Sequence, residues 1–163
     1  MKADSVAEMT APKMAQFIDH TLLKPEADRA AMDKLCEEAI SFGFKAVCIN
    51  SGWVSYIAKK LERTNIAVCS VIGFPLGAMS VAAKAFEARQ AVDDGAQEVD
   101  MVINIGALKS GDQKAVEQDI QAVRFEANSP IILKVIIETC LLTDEEKARA
   151  CEMSQYAGAD FVK

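Results

Sequence analysis

The sequence predicts an α/β fold built of repeated βα units, and three observations predict it. Short apolar runs rich in β-branched residues alternate with longer stretches of helical periodicity. The short runs are apolar on both faces, as strands of a parallel sheet covered from both sides are. Glycines at three joins (Gly43, Gly95 and Gly158) each follow a helical stripe and precede an apolar run. The 163 residues are 51% apolar and 26% charged, enough for one domain (1–163) with a sizeable core. No linker or low-complexity stretch divides them.

In chain order, residues 17–21 form the first candidate strand. Met32, Leu35, Cys36, Ala39 and Ile40 then fall at i, i+3, i+4, i+7 and i+8, one face of a helix. Residues 46–49 make the second strand. Val54, Ile57, Ala58 and Leu61 form the next stripe, behind Ser51 as N-cap. The third strand, 66–72, leads to a stripe of Val81, Ala85, Ala88 and Val92. The fourth, 99–105, precedes Val116, Ile120 and Val123, with Asp112 as cap. The fifth, 131–137, is followed by Thr143-x-x-Glu146, a capping box opening a helix through Ala150, Met153 and Ala157. Residues 161–162 start a sixth strand. At the three joins, glycine ends a helix by taking a left-handed conformation at little cost.

Such units close either as an open doubly wound sheet or as a barrel. No G-x-G-x-x-G or G-x-x-x-x-G-K-[ST] follows any strand, so the nucleotide-binding open sheets lose their best support. Charges inside the strands favour a (β/α)8 TIM-type barrel, whose interior gives them a polar end to point into. Such a barrel usually needs about 250 residues. The chain is therefore expected to cover about strands 1–6 of an incomplete barrel, with open edges at strands 1 and 6 that favour self-association.

Composition excludes several functions. A net charge of −6 without a Lys/Arg run offers no nucleic-acid surface. The apolar runs are interrupted well short of the roughly 20 residues of a membrane span. Met1-Lys2-Ala3-Asp4 carries no signal-peptide core, which places the chain in the cytoplasm. Cys36, Cys48, Cys69, Cys140 and Cys151 form no C-x-x-C pair and read as reduced, buried thiols. The one histidine, His20, reads as a structural hydrogen-bonder, and no His/Cys cluster exists for zinc or iron. Neither metal nor cofactor is expected.

Three strand positions point to chemistry: Asp100, Lys134 and Lys163. A charge in a buried strand is costly unless paired, and sequential βα strands are usually neighbours, so these three are expected to meet. The plain alternative is a structural ion pair between Asp100 and Lys134. The reactive alternative rests on lysine chemistry. An amine attacks a carbonyl only when unprotonated, and burial or a second cation lowers its pKa. A lysine pair beside a carboxylate supplies nucleophile, perturber and proton-transfer group, which suits a metal-free Schiff-base aldolase.

The strings IDHTLLKP (18–25), VIGFPLG (71–77), EVDMVIN (98–104), LKVIIET (133–139) and GADFVK (158–163) resemble, in order, those of the deoxyribose-phosphate aldolase family. The resemblance spans the chain from about Ala15. It implies a (β/α)8 barrel and reversible cleavage of 2-deoxy-D-ribose 5-phosphate to acetaldehyde and D-glyceraldehyde 3-phosphate through a lysine Schiff base. It further implies Lys163 as the Schiff-base lysine, Asp100 working with a water as proton relay, and Lys134 contacting substrate and carbinolamine. Cys48 is implied near the acetaldehyde site and Thr21 at the mouth of the first strand, both as substrate-binding residues. The implied partner is a small phosphorylated sugar, in a homodimer or other homo-oligomer. The family's T-S-T-G segment, second active-site lysine and phosphate-binding loops have no counterpart in these 163 residues. The alternative reading is thus an inactive truncated barrel that acts only by oligomerising or binding a partner. A transaldolase-type enzyme fits the lysine chemistry but not the IDHTLLKP and EVDMVIN strings.

Overall fold

A computed structural model describes residues 9–163, so the expectation drawn from Met1 to Asp4 lies outside the described residues. The elements run α1 (Ala11–Ala15), β1 (Asp19–Leu22), α2 (Arg29–Phe42), β2 (Ala46–Ile49), α3 (Val54–Leu61), β3 (Ala67–Ile72), α4 (Val81–Asp93), β4 (Glu98–Val102), α5 (Ile105–Lys109), α6 (Gln113–Glu126), β5 (Ile132–Ile136), α7 (Asp144–Tyr156) and β6 (Phe161–Val162). Local chemistry sets the helix ends. The Asp112 carboxylate accepts the Ala115 N–H at the start of α6. At α7 the Thr143 hydroxyl accepts from Glu146 N–H while the Glu146 carboxylate accepts from Thr143 N–H, the reciprocal box expected there. Gly43 closes α2 at φ 66°, in the left-handed region.

Four local expectations are corrected. Ser51 does not cap α3: a 3-10 turn over Ser51–Trp53 comes first, and the Ser51 hydroxyl donates to Glu87 instead. Val81 is 40% exposed, and α4 buries Lys84, Ala88 and Ala91, so its inward stripe contains a charge. The fourth strand stops at Val102, because the Asn104 side chain accepts the Ala107 N–H and starts α5. All five thiols are free, but only Cys36, Cys48 and Cys69 are buried; Cys140 is exposed and Cys151 half-buried.

The six strands pair in parallel in the order β1-β2-β3-β4-β5-β6. Strand residues alternate between two environments. Val47, Ile49, Val68, Ile72, Val99, Met101, Leu133 and Val135 join the helices in the main core. Ala46, Cys48, Cys69 and Val71 form a smaller cluster on the other face. A flat sheet would hold β1 and β5 about 19 Å apart, four strand spacings, beyond the joint reach of a lysine and an aspartate. Yet Lys134 Nζ lies 2.7 Å from Asp19 Oδ2. The sheet therefore curls, with the smaller cluster and the charged residues on its concave side. The chain forms six consecutive staves of a (β/α)8 barrel, as the sequence predicts. β1 and β6 end the sheet, and Phe161 stands 58% exposed on the last strand.

Two features fix the loops beyond β3 and β4. Lys84 of α4 is fully buried; its Nζ donates to the Val102 carbonyl at the end of β4 and to Asp119 of α6. Gly77 packs so tightly that a Cβ there would lie 2.2 Å from the Ile103 carbonyl oxygen, and its φ is +64°.

Candidate active site

The pairing register places the charges. Asp100 sits opposite Val71 on β3 and Lys134 on β5, and Lys134 sits opposite Phe161 on β6. Lys163, two residues past Phe161, shares its face. All three charges therefore project into the concave side, on adjacent strands, as expected.

Asp100 is the hub and is fully buried. Its Oδ2 accepts from Lys163 Nζ at 2.6 Å, and its Oδ1 lies 3.1 Å from Lys134 Nζ. The Cys48 thiol points at the same Oδ2 from 3.9 Å. Lys134 is almost buried and faces two further carboxylates, Asp19 Oδ2 at 2.7 Å and Glu98 Oε2 at 2.6 Å. Lys163 is more open, with 43% of its side chain exposed and Asp19 at 3.8 Å. Three carboxylates thus face two ammonium groups. Pairing of each ammonium with the carboxylates around it is what lets so many ionised groups share a buried space.

Cys48 and Cys69 are register partners on β2 and β3. The Cys48 thiol first, then burial, pushes Cys69 well above the ordinary thiol range, so it stays neutral. With Asp100 they bring three donor atoms within 4.8 Å of one another. Those donors do not suit a divalent cation, because two ammonium groups already occupy the carboxylate and the thiol is held protonated. Thr21 sits opposite Cys48 in register, but its hydroxyl turns back to the Asp19 carbonyl. His20 lies on the other side of β1, where Nε2 bonds Glu38 at 2.8 Å and the ring stacks on Phe44, a structural role.

One expectation about charge is corrected. Burial alone would depress the Lys163 pKa, and it is the largest single effect; the hydrogen bond and charge of Asp100 outweigh it. Lys163 therefore rests as an ammonium, with its pKa above the usual value. At Lys134 burial again pulls downward, and Cys69, Asp100, Asp19 and Glu98 together hold the pKa far above the usual lysine range. What the arrangement can do is hand a proton between Lys163 and the Asp100 carboxylate it touches, beside a second, fixed cation.

Asp19 and Glu98 were missed as site residues. Glu98 was legible, since a residue two before Asp100 shares its face of the strand. Asp19 was legible only as an acid inside the first apolar run; its partner lies 115 positions away.

The family model for DeoC/LacD family aldolases matches residues 13–163. The chain is 59% identical over 151 residues to the deoxyribose-phosphate aldolase of Finegoldia magna, covering 93% of this chain and 70% of that one. It is 60% identical over 151 residues to the deoxyribose-phosphate aldolase of Streptococcus mutans serotype c, covering 93% and 68%. A solved structure of the deoxyribose phosphate aldolase of Aeropyrum pernix, described as tetrameric, superposes with a TM-score of 0.85 at 31% identity. That match covers 94% of this chain and 64% of the other, so the chain spans under two thirds of the solved structure.

Proposed function

Since the chain belongs to the DeoC/LacD family of aldolases, we propose that it carries the Schiff-base half of a metal-free class I aldolase, a lyase acting on 2-deoxy-D-ribose 5-phosphate. The products are acetaldehyde and D-glyceraldehyde 3-phosphate, and the reaction is reversible. The observation behind this reading is the 2.6 Å contact between Lys163 Nζ and the buried Asp100 carboxylate, flanked by the Lys134 ammonium.

The steps follow from those contacts. Lys163 passes one proton to Asp100, and the neutral amine attacks C1 of the open-chain sugar. Lys134 donates a hydrogen bond to the resulting carbinolamine oxygen. Asp100 returns its proton to that oxygen, which leaves as water, so a protonated Schiff base forms and the Asp100 carboxylate is restored. Asp100, through a water, removes the proton of the 3-hydroxyl; the C2–C3 bond breaks and its electron pair enters the iminium, giving an enamine. Glyceraldehyde 3-phosphate departs. Protonation of the enamine at C2 and hydrolysis return the amine and acetaldehyde. Cys48 and Thr21 lie on the walls the small aldehyde would meet.

We further propose a homo-oligomer working in the cytoplasm. The tetrameric A. pernix relative supports the first, and five free thiols support a reducing compartment. No helix among the described residues is long and apolar enough to cross a membrane. Trapping tests the catalytic reading. Borohydride with acetaldehyde should add an ethyl group to the peptide containing Lys163, and Lys163→Arg should abolish both label and cleavage, since a guanidinium stays protonated. Label on another lysine, or on none in a preparation that cleaves the sugar phosphate, would overturn the assignment.

A further inference from the structure

The two lysines at the centre have unequal surroundings, and a buried acid with no role in the steps above accounts for the difference. Three carboxylates from two strands lie within ion-pair distance of Lys134: Asp19, which accepts a hydrogen bond from Nζ at 2.7 Å, Glu98 at 2.6 Å and Asp100 at 3.1 Å. At Lys163 one carboxylate, Asp100, lies within hydrogen-bond distance, and part of the side chain faces water. We propose that Glu98 is a positioning residue that decides which lysine reacts: with Asp19 it fixes Lys134 as a permanent cation and leaves Lys163 as the amine that meets the carbonyl. The inference rests on the aldolase reading above.

The asymmetry is one of proton bookkeeping. When Lys163 gives its proton to Asp100, its one close partner is neutralised with it. When Lys134 gives its proton to any one partner, two carboxylates lose the cation that compensates them. Two of the three partners, Glu98 and Asp100, are buried, where an unpaired charge is strongly disfavoured. The groups facing Lys134 are Asp19 from β1, Cys69 from β3, Glu98 and Asp100 from β4, and Lys163 from beyond β6. Near neutral pH Cys69 is an uncharged thiol and Lys163 a cation, so there the carboxylates compensate the Lys134 charge; the Cys69 thiolate joins them only at alkaline pH. Glu98 lies about 7 Å deeper than Asp100, two residues back along β4 at the start of the strand, and among the described residues its ion pair is with Lys134. It is thus placed to act through Lys134 and not on a substrate at the carboxyl ends of the strands.

The test reads both lysines directly in the full chain. With 13Cε-labelled lysine, assigned by Lys134→Arg and Lys163→Arg, NMR titration should find Lys163 deprotonating below Lys134. In Glu98→Gln, which keeps the shape and one acceptor but not the charge, the Lys134 midpoint should drop by about one pH unit or more. That gives about tenfold more free amine at fixed pH. Glu98→Asp should restore most of the shift. With acetaldehyde and cyanoborohydride, label on Lys134 should rise by the same order in Glu98→Gln. A folded Glu98→Gln protein whose Lys134 titrates unchanged would overturn the proposal. If that variant does not fold, the unaltered protein decides: Lys163 titrating above Lys134 would overturn it, and the reverse order supports it. If no lysine of the unaltered protein takes label, the aldolase reading fails, while the titrations still rule on Glu98.

Discussion

Removing the Asp119 carboxylate gives the sharpest test of how the helix layer is held. Lys84 and Asp119 are 0% and 1% exposed, so no water can replace either partner. Burial raises the Asp119 pKa above its ordinary value and outweighs the opposing pull of Lys84, so the ionised pair stands against a large desolvation cost. In Asp119→Ala the Lys84 ammonium keeps only the Val102 carbonyl. Stranding one member of a buried pair costs about 3–5 kcal/mol. Alanine returns up to about 0.7 kcal/mol of helix propensity within α6. The expected net loss is about 3 kcal/mol, out of roughly 5–15 kcal/mol for a domain. With a urea slope of about 2 kcal/mol per molar, the unfolding midpoint should fall by about 1.5 M. The double variant Lys84→Met/Asp119→Leu removes both charges and should unfold within about 1 kcal/mol of the unaltered protein. A loss under about 1 kcal/mol in the single variant, or an equal loss in the double, would refute the reasoning.

Other outcomes follow from features already described. Gly77→Ala places a methyl group against the Ile103 carbonyl at a positive φ and should lower the thermal midpoint by about 5–10 °C in a calorimetric scan. Thr143→Ala removes one half of the α7 capping box and should cost about 1 kcal/mol in chemical denaturation. Lys134 has a folded pKa above its unfolded value of 10.5, so its stabilisation is fully present below that pH. It is lost as pH rises from there through the folded value, because the unfolded chain releases its proton first. Alkaline denaturation followed by circular dichroism should therefore be steeper in the unaltered protein than in Lys134→Met.

The strands were legible because a two-sided apolar run of four to six residues has few other homes, and residues 46–49 match β2 end for end. Caps were legible where the side chain acts on its own neighbours, as at Asp112 and Thr143. Ser51 misled because its hydroxyl had a better acceptor 36 positions away. Lys84 escaped for a related reason: a lysine on a helix is read as solvated, and only the packing of α4 on α6 reveals Asp119 as its partner. At the site, Asp100, Lys134 and Lys163 stood out because charges in β-branched runs are conspicuous. Glu98 was overlooked, although its place two residues before Asp100 marks the same face. Asp19 did not stand out, because its significance depends on the curl of the sheet, which brings it to a partner 115 positions away. The depressed amine expected at Lys163 failed on the same ground, since the carboxylate contact outweighs the nearby cation.

The tie between Asp19 and Lys134 also has a consequence for biogenesis. The two residues are 115 positions apart. At roughly 5–20 residues per second, a ribosome needs on the order of ten seconds to travel from one to the other. For the last few seconds of that interval, between completion of β4 at Val102 and synthesis of Lys134, the nascent chain carries Asp19, Glu98 and Asp100 with neither Lys134 nor Lys163 to pair them. Three like charges resist being drawn into one dry space, so the concave face stays hydrated while the apolar face is free to gather its helices. Arrival of the fifth strand supplies the cation that lets the arc draw in. The same charges thereby bear on the order of folding: a chain stalled before residue 134 is expected to hold its acids open to water instead of burying them unpaired.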